Sequence, residues 1–321
     1  MSDFRFITSD NIPLDTSTDN DVYVEGQPLI YFSREQYIKL LACVAFTSPE
    51  PFTLATANSR KNWDGTLEYS TDRSTWSIWD GTTTLSSSGN KIYLRGTGNT
   101  RITGGFGAQW VLTGSNISCI GNIENLLDYQ TVARGEHPAM GNYCYYYMFC
   151  DCTSLVSAPK LSAMSLTNDC YGYMFYNCTS LIFAPELPAT TLANSCYETM
   201  FYNCTSLVSA PKLPAIALQI YCYYHMFYGC TSLTTIPELP ATTIPSISYE
   251  NMFYGCTSIK LSVTQTGRYQ IPYRIPSSGT GTIGTDSLDN MFGETGGTFK
   301  GTPEINTTYY LSTSNSVIPA N

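Results

Sequence analysis

The chain has 321 residues, 43% of them apolar and only 13% charged, with 25 Tyr, 2 His and a net charge of -9 at neutral pH. Such an acidic balance repels phosphate backbones, and no local basic patch offsets it, which argues against nucleic acid as a partner. No apolar run approaches the roughly 18–20 residues of a helical membrane span, so no membrane insertion is expected; the opening Met1 to Thr8 lacks a basic segment leading into an apolar one, giving the expectation of a product that bypasses general export.

In chain order, residues 1–50 read as an anchoring arm followed by a helix. The first 20 or so residues are rich in Asp, Ser and Thr. From Ser33 to Phe46 a helix is expected, with Ser33 and Gln36 as a capping box and Tyr37, Leu40, Leu41 and Val44 as its apolar stripe. Residues 51–103 read as a small β module. Its β-prone runs begin at Phe52, Leu67, Trp76, Thr82 and Lys91, and Asp64-Gly65, Asp80-Gly81 and Gly89-Asn90 separate them as turns. Residues 104–143, with Trp110 to Leu112, Ile117 to Ile120, Ile123, Leu126 and Leu127, read as a degenerate leading unit that caps a solenoid beginning at residue 144.

Residues 144–261 are five copies of a 26-residue repeat. Met-Phe pairs recur at Met148, Met174, Met200, Met226 and Met252, and Cys follows four later at Cys152, Cys178, Cys204, Cys230 and Cys256. Another Cys precedes each Met at Cys144, Cys170, Cys196 and Cys222, with Ser248 in the fifth copy. Tyr171, Met174, Phe175 and Cys178 fall at i, i+3, i+4 and i+7, the spacing of one face of about two helical turns. A short strand is expected near Ala184–Leu187, ended by Pro188, since proline is barred from interior ladder positions. A unit this small buries its apolar face only against neighbours. The expected fold is therefore an α/β solenoid, a stack of short strand plus short helix, preceded by the all-β module. Residues 262–321 read as a C-terminal cap with an inserted loop, because the next Met-Phe pair, Met291-Phe292, comes after a step of 39.

The unit Met-Phe-Tyr-Asn-Cys-Thr-Ser-Leu, with the later Ala-Pro-Glu-Leu-Pro-Ala-Thr-Thr-Leu, resembles the BspA-like leucine-rich repeats of bacterial surface proteins. The closing segment from Ile271 to Thr282, and Gly296 through Tyr310, is similar to the ends of such proteins. That resemblance covers about residues 65–315 and implies a leucine-rich-repeat solenoid used for adhesion to host proteins, glycans or cells, with no enzyme activity. The family occurs in secreted or cell-anchored adhesins and in head or tail proteins of phages of gut bacteria. With no export signal or wall anchor in view, the reading is a fibre or decoration protein of a bacteriophage virion. Its N-terminal region would hold other virion proteins and its repeats would bind a host or mucosal surface, with a homo-oligomer as one arrangement. The alternative is a bacterial surface adhesin, and the lesser one an enzyme acting on polysaccharide.

Several features carry candidate chemistry. Equivalent residues of stacked units lie about 4.8 Å apart, so each Cys series reads as a buried thiol ladder of small hydrophobes. Disulfides between rungs have a workable Cα spacing, but both side chains point the same way. Cys150 and Cys152 form a lone C-x-C without the pairing that zinc needs, so no metal and no cofactor are expected. Tyr145, Tyr171, Tyr197, Tyr223 and Tyr249 are expected in the core, whereas Tyr176, Tyr202, Tyr228 and Tyr254 sit beside it and are the candidate ligand-binding stripe; aromatic stripes stack on sugars and anchor interfaces. The blander reading is that they pack between rungs. Lys160, Glu186, Lys212 and Glu238 alternate in sign and are expected to pair rung to rung, each pair worth about 0.2–1 kcal/mol. Gly279, Gly281 and Gly284 match a dinucleotide-loop pattern but sit in the inserted loop, outside any βαβ unit. His137 and His225 belong to no nucleophile motif, His225 standing in a column of mixed residues that reads as tolerant, and no convergent set of titratable groups marks a catalytic centre.

Overall fold

The computed structural model describes residues 6–7, 13–14, 42–105 and 107–320. The chain divides into two compact units, Met1–Leu41 and Ala42–Asn321. In the first, Phe6–Ile7 and Pro13–Leu14 pair as antiparallel strands. The rest of the expected arm, and the expected helix from Ser33 to Leu41, lie outside the described residues. Where that helix was to end, Val44–Thr47 is instead a strand. It is hydrogen-bonded on both sides, to Lys91–Thr97 and to Ile117–Ile120. Val44, Ala45 and Phe46 are all buried, and a short apolar run buried on both faces carries no period that separates strand from helix.

The second unit opens on two sheets. One has six strands in the order Leu155–Ser157, Ile117–Ile120, Val44–Thr47, Lys91–Thr97, Thr66–Ser70 and Ser77–Trp79, of which only the first pair is parallel. The other joins Leu85–Ser86, Thr53–Thr56 and Trp110–Thr113. The expected strand from Thr82 narrows to Leu85–Ser86, while Gly89 and Asn90, both at positive φ, make the turn into Lys91. Trp79, Trp110 and Phe46 meet between the sheets, with Trp110 5.5 Å from Trp79 and 6.1 Å from Phe46. Asn125–Ala133 is the one helix among the described residues, and it is broken at Asp128 (φ -152, ψ 98). There the Asp128 carboxylate accepts from the Thr131 N–H as a cap inside the segment and from the Gly98 N–H of the neighbouring strand end.

The repeats correct the expected architecture. The stack is not an α/β solenoid of strand plus helix: the molecule consists mostly of short strands in several small sheets, and no repeat contains a helix. From Asp169 to Cys178 the chain runs through consecutive tight turns. Met174, Tyr176 and Cys178 donate their N–H groups three residues back, to Tyr171, Tyr173 and Phe175. The alternate N–H groups, of Tyr171, Tyr173, Phe175 and Asn177, donate instead to Cys196, Glu198, Met200 and Tyr202 of the next unit at 2.8–3.0 Å. A helix would keep all of these bonds within the segment. Every fourth residue is left-handed, with Asp169, Tyr173 and Asn177 each at φ 56, and this turns the intervening donors sideways. Because the turn period is four, Tyr171 and Phe175, and Met174 and Cys178, still face inward as the helical spacing required; all four are buried.

The same pattern recurs from Tyr143, Ser195, Tyr221 and Ile247, and a sixth run from Asp286 continues it across the inserted loop, Phe253 stacking on Phe292 at 5.6 Å. The expected strand at Ala184–Leu187 is absent. Ladder contacts reduce to single bridges, Ser157–Phe183–Ser209–Thr235 and Ser165–Thr191–Ala217–Thr243, because prolines at 159, 185 and 211 lack the N–H to extend the first. At the far end Ser316–Ile318 pairs with Thr235–Pro237, and Leu261–Ser262 and Tyr269–Arg274 flank Thr308–Ser312. Buried Tyr273 and Tyr309 close the apolar end there. One continuous core runs from Val44 through every repeat to Leu311.

Candidate functional site

All twelve cysteines are buried and free. In the column after each Met, the thiols of Cys178, Cys204, Cys230 and Cys256 donate at 3.0–3.1 Å to the carbonyls of Phe149, Phe175, Phe201 and Phe227 of the preceding unit. A thiol suits this place, being small, apolar and still able to satisfy a buried carbonyl. Burial pushes Cys170 and Cys222 up to about 12, so these sulfurs remain protonated thiols. Ser248 stands where the fifth upstream Cys would be and donates to the Pro245 carbonyl at 2.7 Å. Tyr145, Tyr171, Tyr197, Tyr223 and Tyr249 form a fully buried stack.

Tyr176, Tyr202, Tyr228 and Tyr254 are partly buried and lie in one column, with successive ring centroids 4.8, 4.6 and 4.8 Å apart and planes within 12° of parallel. Their ring faces are therefore taken up by one another. What the column offers outward is ring edges and phenolic hydroxyls, which changes the contact the stripe can make: stacking on a sugar face is closed to the interior rings, while hydrogen bonding and edge contact are open. The column ends where Cys150 replaces Tyr in the first unit and where the Tyr254 ring lies over Gly293 in the sixth; a Cβ on Gly293 would collide with that ring.

Two neighbouring columns share this turn face. The residue before each Met is Tyr147, Tyr173, Thr199, His225 and Asn251, and the one before that is Tyr146, Gly172, Glu198, Tyr224 and Glu250. Tyr147 stacks on Tyr173 at 4.5 Å, Tyr173 lies 6.0 Å from Tyr176, and His225 lies 3.7 Å from Tyr224 and 5.3 Å from Tyr228. The Tyr146 ring folds onto the next rung at Gly172, where a Cβ would come within 2.7 Å of it. The Tyr173 hydroxyl donates to Glu198 at 3.2 Å. Burial takes His225 down to about 4, so its ring is neutral at neutral pH. The mixed composition of the His225 column reads as tolerance; its fixed offset from the Met-Phe pair is the signal that it lines the same face.

The expected Lys–Glu rungs do not form. Among the described residues no ion pair joins Lys160, Glu186, Lys212 and Glu238. Glu238 instead accepts from the Ala320 N–H at 3.2 Å, and Lys160, Glu186 and Lys212 stand in solvent, where fixing two long side chains costs about as much as the pair returns. His137 contacts the buried Glu124 carboxylate at 3.0 Å, far along the chain from the tyrosine column. Gly281 is buried in the C-terminal cap, where Asn306 bridges its N–H and carbonyl, and Gly279 is exposed. Comparison with family models, with curated proteins and with solved structures gives no match. The likeness to BspA-like repeats thus rests on the repeat motif itself.

Proposed function

We propose that this chain is a non-enzymatic attachment protein, a fibre or decoration component of a bacteriophage virion that presents the turn face to a host or mucosal surface. The observation that carries the binding role is the column of Tyr176, Tyr202, Tyr228 and Tyr254. Four partly buried phenols are held in register on a backbone whose hydrogen bonds run from unit to unit. A surface fixed this way loses little side-chain entropy on binding, and tyrosine is a frequent interface anchor. The virion setting rests on the repeat resemblance; the N-terminal region would hold the other particle proteins.

The experiment is host-cell or mucin binding by the full chain and by a Tyr202→Ala/Tyr228→Ala variant. A loss of about tenfold or more is expected at unchanged fold, in the range of an interface hot spot. Equal binding by the variant removes the tyrosine column from the reading. Finding the protein on purified particles supports the virion over the alternative of a bacterial surface adhesin; finding it on the bacterial envelope alone reverses that choice.

A further inference from the structure

The turn face has a charge pattern of one sign. Within the turn runs the charged residues are Asp151, Asp169, Glu198 and Glu250 in the repeats and Asp286, Asp289 and Glu294 in the sixth run, and none of these runs contains Lys or Arg. The lysines of the repeats, Lys160, Lys212 and Lys260, all lie outside the turn runs. The carboxylates are interleaved with aromatic rings, Glu198 accepting from Tyr173 and Glu250 lying one rung beyond Tyr224 in the same column. Asp169 and Glu250 are each raised by burial first and then by neighbouring carboxylates, Glu198 for the one and Asp289 and Asp286 for the other. Thr199, 2% exposed in the same face, has its hydroxyl beside that of Tyr173.

From this pattern we infer that the turn face docks a cationic polypeptide segment, its lysine or arginine N–H donors received by Glu198, Glu250 and the flanking phenolic oxygens. This rests on the attachment reading above and names the partner's chemistry. Neutral sugar is the poorer fit on two grounds. The tyrosine faces that stack on sugars are occupied by one another, and a neutral ligand leaves the crowded carboxylates uncompensated. A cation relieves their mutual repulsion and supplies donors in the number that carboxylates accept.

The test is binding of a ten-residue lysine peptide to the full chain, with a dextran oligomer as the neutral comparison. Binding of the peptide is expected, weakening as salt rises. Glu198→Gln/Glu250→Gln should weaken it by about tenfold, while Glu50→Gln/Glu186→Gln, the same change in net charge on other surfaces, leaves it within about twofold. Matched thermal melts establish that both pairs fold. Equal losses for the two pairs overturn the inference, because net charge alone then explains the binding; so does failure of the wild-type chain to bind the peptide, or preference for dextran. If Tyr202→Ala/Tyr228→Ala abolishes host attachment while Glu198→Gln/Glu250→Gln leaves it intact, the attachment role stands and the cationic partner falls. If the glutamine pair abolishes peptide binding while the alanine pair still attaches, the tyrosine reading falls and this one stands.

Discussion

The two sheets around Trp110 and the turn stack beyond Tyr143 share one core but are held in different ways. In the sheets each contact is made once: Trp79, Trp110, Phe46 and Phe149 meet in mutually tilted or edge-on pairs, and the backbone bonds are mostly antiparallel. In the stack the same contact is made at every step, Phe149, Phe175, Phe201, Phe227 and Phe253 following one another at 5.5–5.6 Å with planes nearly parallel. The lesson is one of distribution. A sheet residue has no substitute, whereas a repeat residue holds one of several equivalent interfaces, so stack stability is close to a sum over nearest neighbours.

Trp110→Ala breaks the comparison hardest. Trp110 is fully buried, packs on both Trp79 and Phe149, and donates its backbone N–H to the Met148 carbonyl, so it belongs to the sheets and the first repeat together. Its removal should cost about 3–5 kcal/mol and lower a single denaturation transition followed by both far-ultraviolet dichroism and tyrosine fluorescence. Two separated transitions, with only the earlier one displaced, would mean that sheets and stack unfold independently.

A smaller effect separates the turns from any helix. Asn203 sits at φ 54, the left-handed slot that Asn177 also fills and that Gly229 and Gly255 take in the later units. Asn203→Val places a β-branched residue there and should cost roughly 1–2 kcal/mol, while Asn203→Gly, free of that strain, costs clearly less. In a helix the order would reverse. Chemical denaturation of the two variants decides it.

This slot also explains what the sequence disclosed and what it hid. The 26-residue step, the burial of Tyr171, Met174, Phe175 and Cys178, and the core position of the Tyr145 column all come from side-chain chemistry, which repeats visibly. The helix did not, because a four-residue turn and a 3.6-residue helix put those same positions inward. Asn or Gly recurring after Tyr was the available sign of a left-handed backbone, but Asp151, Tyr173 and His225 occupy equivalent conformations and blur it. Of the proposed binding face, the Tyr176 column was legible from spacing. That its rings consume one another's faces, and that Glu198 and Glu250 adjoin them, depends on how units stack, which no single unit encodes. The strand forecast failed where Pro185 and Pro211 cut a ladder to one bridge per rung.

Weaker still is the thiol column. Cys204→Ala removes the 3.1 Å bond from sulfur to the Phe175 carbonyl and should cost about 0.5–1.5 kcal/mol for that bond. It should leave the other thiols as inert toward a disulfide reagent as in the wild-type chain. Prompt reaction of most thiols in the native protein would contradict the buried ladder, and reaction confined to Cys43 and Cys150, the least buried pair at 5% and 7%, would locate any opening at the N-terminal end of the core.

The smallest effect lies at the surface of the stack. Burial, then the nearby Glu198, raise the Asp169 carboxyl above its ordinary value of 3.8. A group whose pKa is raised on folding favours the folded state at pH below its unfolded value and loses that contribution as pH climbs through the folded value. Charged Asp169 is therefore unfavourable at neutral pH. Asp169→Asn should raise Tm at pH 7, by on the order of 1 °C because solvent screens a group that is only partly buried. At pH 3, where the carboxyl is already protonated, the gain should vanish. A fall in Tm at pH 7 would show that the Tyr143 hydroxyl, which favours the charged form, outweighs both burial and Glu198; repulsion between carboxylates would then not govern this part of the turn face.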